Sequence, residues 1–228
     1  VYADEAGPTW GRLRRVCDVA TVDAVTTRRL VQLIVGLAVF GLGSGLMVQS
    51  DLGNPPWDVF HEGFALSTPL SIGVAAIVTS FAVLLLWIPL REKPGPGTIA
   101  NAVLVGVFID LTVLTVETPE HIGFRIALML GGVLLVGVGS GLYIGVRLGP
   151  GPRDGLMTGL AKRGLSLRVA RTGVEAAALV VGWMLGGTVG IGTLVFALGI
   201  GPLVHAFLPR FDLGGTARLW RANGTIGR

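Results

Sequence analysis

Charged side chains are scarce in this sequence. Asp, Glu, Lys and Arg together make up 14% of its 228 residues, against about 25% in an ordinary soluble domain. That deficit argues against a soluble globular enzyme. Lysine is nearly missing: Lys93 and Lys162 stand against 16 arginines. Aromatics are only 7%, so packing must rest on aliphatic and small residues. A single cysteine, Cys17, excludes an internal disulfide and says nothing about redox compartment. The first apolar run begins near residue 30 and no small-residue cleavage site follows it, so no signal peptide is expected.

What is present is apolar and glycine-rich. Hydrophobic residues are 51% of the chain and glycines number 36, with a mean hydropathy of +0.72. A chain this apolar does not stay disordered. The class is an all-α integral membrane protein. A bilayer core of about 30 Å takes about 20 apolar helical residues, and six stretches approach that: 30–48, 72–90, 99–116, 126–144, 169–185 and 192–208.

The basic residues are sorted along these spans. With six crossings drawn, 17 of the 18 fall on one side and only Arg125 on the other, where Asp51, Asp58, Glu62, Glu117 and Glu120 lie instead. The positive-inside rule then puts both termini in the cytoplasm. The net charge of +4 is a topology signal, and nucleic acid is not an expected partner. Polar ends, 1–29 and 210–228, flank one membrane domain, 30–209.

An internal duplication is legible. Gly41-Leu42-Gly43-Ser44-Gly45-Leu46 matches Gly137-Val138-Gly139-Ser140-Gly141-Leu142, and Leu52-Gly53, Pro56 and Asp58 match Leu148-Gly149, Pro152 and Asp154, all at an offset of 96. At an offset of 95, Leu70-Ser71 matches Leu165-Ser166, Gly97-Thr98 matches Gly192-Thr193, and Gly106 matches Gly201. The repeats, 30–116 and 126–208, hold three spans each. Three is odd, so the second copy enters the membrane from the opposite side, which is a plan used by secondary transporters and channels. A duplicated scaffold without a pathway would carry the same pattern.

After spans one and four, Asn54-Pro55-Pro56-Trp57-Asp58 and Gly149-Pro150-Gly151-Pro152-Arg153-Asp154 read as helix starts, with proline in the first turn and a carboxylate near the positive helix end. Both following helices are too short to span. Two placements stay open: re-entrant half-helices covered by protein, or amphipathic connectors lying at the interfaces. Charged and polar residues within spans are functional candidates. Arg171 and Glu175, at i and i+4 on span five, can pair within the helix. Asp110 and His205 hold equivalent repeat positions. The pathway candidates are thus Trp57, Asp58, Asn101, Asp110, Arg153, Asp154, Arg171, Glu175 and His205. Thr98 and Thr193 suit helix starts after glycine. No metal-ligand spacing, nucleophile elbow or phosphate loop occurs, so no cofactor, metal or catalytic residue is assigned and the chain is not expected to be an enzyme.

Gly53-x-x-Pro56-Trp57-Asp58, Leu70-Ser71-Ile72-Gly73, Gly97-Thr98 with Asn101 and Asp110, Gly151-Pro152-Arg153-Asp154, Arg171 with Glu175, and Gly182-Trp183-x-Leu185-Gly186-Gly187-x-x-Gly190-Ile191-Gly192-Thr193 together resemble the YczE/YyaS/YitT-type bacterial membrane proteins, with the YczE-like branch nearest. The resemblance covers about residues 30–209. It implies a multi-pass protein of the bacterial cytoplasmic membrane whose biochemical activity is poorly defined.

The function expected is movement of a small solute across that membrane, with proton coupling as a variant. The alternative is a non-transporting scaffold or accessory factor for a biosynthetic or export complex. Partners implied are the bilayer, a small molecule or ion, and either a second copy or another membrane protein.

Overall fold

The computed structural model describes residues 9–213, and for residues 9–25 the backbone only. Residues 1–8 and 214–228, with Arg218, Arg221 and Arg228 of the polar tail, lie outside it, as do the side chains of Cys17, Arg12, Arg14 and Arg15. Among the described residues the chain is entirely helical: α1 Thr9–Ser50, α2 Pro56–Leu66, α3 Ile72–Leu90, α4 Pro96–Thr115, α5 Ile122–Gly145, α6 Pro152–Ala161, α7 Leu167–Met184 and α8 Ile191–Phe211.

Five of the described helices are long and apolar enough to cross a membrane: Thr26–Ser50 within α1, then α3, α4, α5 and α8. The sixth expected span falls on α7, which forms a helix of 18 residues. Arg168, Arg171 and Glu175 crowd its first half, and their charge keeps it out of that group.

The boundaries follow local chemistry. Ser71 caps α3 by accepting from the Val74 amide at 3.2 Å, and Ser166 caps α7 by accepting from the Val169 amide at 3.3 Å. Glycines precede α4 and α8. There Thr98 Oγ1 accepts from the Gly95 amide at 3.1 Å, and Thr193 Oγ1 accepts from the Gly190 amide at 3.2 Å.

The centre of the molecule is the pair α1 and α5, which pack along their length. Their shared core holds Leu33, Leu37, Phe40, Met47, Val133, Val136 and Tyr143. Glycines let the backbones approach. Gly43 rests on the Gly132 carbonyl of α5, and Gly139 on the backbone of Gly36 and Phe40. The flanking glycines face outward to a second partner. Gly41 and Gly45 seat α4 through Phe108 and Thr112, while Gly137 and Gly141 seat α8 through Leu203 and Phe207. With lipid tails as apolar as leucine, such close contact is what drives association in a bilayer.

Three backbone hydrogen bonds tie the first half of the chain to the second: the Asn54 amide donates to Thr188 O at 3.1 Å, and two others are reciprocal. The Gly97 amide at the start of α4 donates to Leu148 O at 2.9 Å, and the Gly192 amide at the start of α8 donates to Leu52 O at 2.8 Å. The turns that present these carbonyls share an unusual backbone. Asp51 and Arg147 have φ of 51° and 58°, and Gly53 and Gly149 have φ of 111° and 124°.

Gly53 is required twice over. Its φ is open only to glycine at low cost, and a Cβ there would lie 2.5 Å from the Gly190 nitrogen. Gly131 on α5 has open space where a Cβ would go. Gly53→Ala is expected to cost at least about 1–3 kcal/mol, read as a lowered melting temperature of the purified protein in detergent. Gly131→Ala is expected to be neutral or stabilising by up to about 1 kcal/mol. Equal melting temperatures for the two variants would refute this account of the turn.

Candidate solute cavities between the helices

The helices α2 and α6, of 11 and 10 residues, are about 15–17 Å long, about half the thickness of a bilayer core. Both begin with proline where no amide donor is needed. The start of α2 is sealed inside protein. Asn54, Pro55, Asp58 and Val59 are all buried, Asp58 with only 4% of its surface exposed. α2 packs on α3 and α7, and α6 on the same two helices. The Trp87 indole of α3 fixes α6 in place by donating to Pro152 O at 3.0 Å.

Two cavities flank these helix starts. A small one of about 40 Å³ is lined by Trp57, Asp58, His61, Ser80, Asn101 and Gly106, with Phe40 and Arg153 completing the wall. A large one of about 880 Å³ is lined by Arg153, Asp154, Tyr143, Arg171, Glu175, Gly201 and His205, with Phe40 and Phe196. Part of each lining has its equivalent in the other at the 95–96 offsets. Trp57 matches Arg153, Asp58 matches Asp154, Ala76 matches Arg171, Ser80 matches Glu175, Asn101 matches Phe196, and Gly106 matches Gly201.

The difference in volume has a visible cause. α3 and α4 pack closely, whereas α7 and α8 are not packed together. At the α3–α4 contact, Gly73 and Gly106 each rest on the other's backbone carbonyl. Asp110 closes the seam by accepting from the Ser71 hydroxyl at 2.5 Å and the Gly73 amide at 2.7 Å. At the equivalent place on α7 stands Arg168 instead of a glycine, and His205 replaces Asp110. The large cavity occupies the resulting gap. Arg168 in the first turn of α7 and His205 in the last third of α8 put its mouth at the end of the bundle that carries Lys162, Arg163 and Arg210.

The expected site residues divide accordingly. Asp58 meets the His61 ring, with Oδ1 at 3.3 Å from Nδ1. Asp154 accepts from the Tyr143 hydroxyl at 2.8 Å. The Arg153 guanidinium stacks over Phe40, 5.2 Å from the ring centre. Arg171 and Glu175 pair at 3.2 Å on the wall of the large cavity. Asn101 and Trp57 line the small one. Asp110 stands at the α3–α4 seam and lines a third cavity, of about 500 Å³, with Glu62, Leu66, Ser71 and Leu114, so it shares no cavity with His205. Thr98 and Thr193 hold the helix starts, and Thr98 Oγ1 also donates to Pro150 O at 2.8 Å.

Phe40, Tyr143 and His61 were not among the expected site residues. Phe40 and Tyr143 lie on the long apolar helices α1 and α5, and only tertiary packing shows that they face a charged space. Glu62 carries a structural role that the sequence pattern concealed. Its carboxylate accepts from Asn54 Nδ2 at 2.9 Å, from the Thr188 amide at 2.6 Å and from the Thr188 hydroxyl at 2.9 Å. It thereby ties α2 to the α7–α8 loop.

Comparison with known proteins gives the chain its family. A family of unknown function, DUF6198, matches residues 27–209, the span that holds every helix from the first crossing to α8. The chain belongs to this family. It is 41% identical over 177 residues to an uncharacterised protein of Haemophilus influenzae, covering 77% of this chain and 81% of that one. It is 34% identical over 187 residues to the uncharacterised membrane protein YczE of Bacillus subtilis, covering 77% and 83%. It is 30% identical over 182 residues to the uncharacterised protein YyaS of the same organism, covering 77% and 90%. No solved structure matches. With these relatives and five apolar helices of spanning length, the chain is a membrane protein.

The Glu62 carboxylate is expected to contribute through charge-assisted hydrogen bonds worth about 1.5–3 kcal/mol each. Glu62→Ala should therefore lower the melting temperature in detergent by several degrees. Glu175→Ala, which removes a half-exposed helical pair, should change it little. A Glu62→Ala protein as stable as the parent would show that the α2–α7/α8 tie does not hold the fold.

Proposed function

We propose that the protein is a small-solute transporter of the bacterial cytoplasmic membrane. It would be built from two three-helix repeats of opposite orientation, with α7 as the sixth crossing and both termini in the cytoplasm. The observation that carries this reading is the pair of cavities made by equivalent residues, one of about 40 Å³ and one of about 880 Å³. Two copies of one unit holding the same space open and closed is what alternating access requires. The reciprocal bonds Gly97 to Leu148 and Gly192 to Leu52 support the duplication. The burial of Asn54, Pro55 and Asp58 supports half-helices enclosed by protein rather than connectors lying on the surface.

On this reading α7 and α8 stand apart in a cytoplasm-facing state. Transport would close them and separate α3 from α4. Asp58 with His61, and Asp154 with Tyr143, are the ionisable groups at the two cavity floors, and either pair is placed to carry a coupled proton.

The test is accessibility from each side. A Cβ at Gly73 would collide with the Gly106 carbonyl and the Asp110 carboxylate, so Gly73→Ala wedges α3 from α4. Overpacking of this kind costs about 1–3 kcal/mol, enough to shift a two-state equilibrium about tenfold. In a Cys17→Ala background, Ser80→Cys reports on the small cavity and Ser140→Cys on the large one. Gly73→Ala should raise labelling of Ser80→Cys by an impermeant maleimide from the external side several-fold, and lower that of Ser140→Cys from the cytoplasmic side. Labelling unchanged at both positions would refute alternation between the cavities.

A further inference from the structure

Arg153 lines both cavities. It sits where they meet, and its guanidinium has a ring face beneath it but no acceptor. Among the described residues it makes no hydrogen bond or ion pair, although a guanidinium offers five N–H donors. The carboxylates nearest in the pattern are already engaged: Asp154 by the Tyr143 hydroxyl and Asp58 by the His61 ring. An arginine with unfilled donors inside a membrane protein is costly.

A second unfilled donor lines the same small cavity. Trp57, with 9% of its surface exposed, has an indole Nε1–H with no acceptor. Trp57 occupies the repeat position equivalent to Arg153. The two half-helix starts thus bring two donors to one space of about 40 Å³, which is room for about three water molecules or one carboxylate-sized group.

We propose that Arg153 and Trp57 together form the central site for the anionic head of an organic solute with an apolar body. This rests on the transport reading above. A carboxylate or phosphate-type oxyanion can take two parallel N–H bonds from a guanidinium and a third from the indole. A quaternary or primary ammonium has no acceptor to offer these N–H donors and would meet the Arg153 charge at close range. The body of the solute has its place in the large cavity, whose walls include Phe40, Val136, Met157, Phe196 and Ile200. Because Arg153 belongs to both cavities, the head stays on one anchor while access changes sides. Two sources share this chemistry. One is a water-soluble organic acid. The other is an anionic lipid entering through the gap between α7 and α8.

The purified full chain in detergent is melted with benzoate, with benzylammonium as the matched cation, and with short-chain phosphatidylglycerol as the lipid. Benzoate should raise the melting temperature saturably and benzylammonium should not. Arg153→Gln should abolish the benzoate effect. Arg153→Lys, which keeps charge but loses the fork, should weaken apparent affinity about tenfold or more. Trp57→Phe should weaken it about fivefold, the loss of one neutral donor. Should Arg153→Gln fail to fold, the Lys and Phe variants still decide the matter. Protection by phosphatidylglycerol alone, lost in Arg153→Lys, would keep the anion site and assign it to a lipid. Protection by benzylammonium alone, or benzoate protection that survives in Arg153→Lys and Trp57→Phe, would overturn the inference. The cysteine labelling above needs no ligand, so alternation seen there with no protection by either benzoate or phosphatidylglycerol would reject the anion and leave transport standing.

Discussion

A backbone that is not helical cannot face lipid, because nothing in the hydrocarbon core satisfies its amides and carbonyls. Two of the helix breaks in this chain, at 51–55 and 146–151, are built alike, and they tie its two halves together. The two freed carbonyls, Leu52 O and Leu148 O, are each met by a glycine amide at the start of a helix from the other half of the chain. The Gly53 and Gly149 turns permit that meeting, since a side chain at Gly53 would strike the Gly190 backbone and one at Gly149 the Thr98 hydroxyl. The first break is buried at Gly53, Asn54 and Pro55, and the two breaks bring Trp57, Asp58, Arg153 and Asp154 to the cavities.

The positions at which the two halves differ are informative. Gly73 and Gly106 let α3 and α4 touch, and Asp110 locks the seam through Ser71 and the Gly73 amide. The second half keeps Gly201 but has Arg168 where a glycine would be needed, and His205 where the carboxylate would be. Close packing of α7 on α8 would have to bury a guanidinium, which is expensive in a low-dielectric interior. The space that results is the large cavity, and its charged lining comes from the same substitutions that hold it open.

Much of this was readable in advance. Hydropathy and length located the helices, and the paired Gly, Pro and Asp positions anticipated that the segments after α1 and α5 would be built alike. Arg171 and Glu175 pair as their i, i+4 spacing requires. Asp110 and His205 were a pair by repeat position only. The structure separates them, because repeat equivalence places residues at matching points on different walls and not next to one another. Phe40 and Tyr143 were silent because an aromatic on an apolar span looks the same whether it faces lipid, a neighbouring helix or an arginine. Glu62 looked like one acid among several in the first half of the chain, and only the return of the α7–α8 loop gives it two of its three donors.

By itself the sequence determined the class, the helices and the break points, because these depend on transfer energies and on local chemistry that the residues carry individually. The tertiary structure decided which helix pairs close and which stand apart, and it brought Arg153 and Trp57 to one unfilled space. Those outcomes depend on whether two backbones can approach to contact. That is a property of the residues on both surfaces together, and of the side chains that must be buried between them.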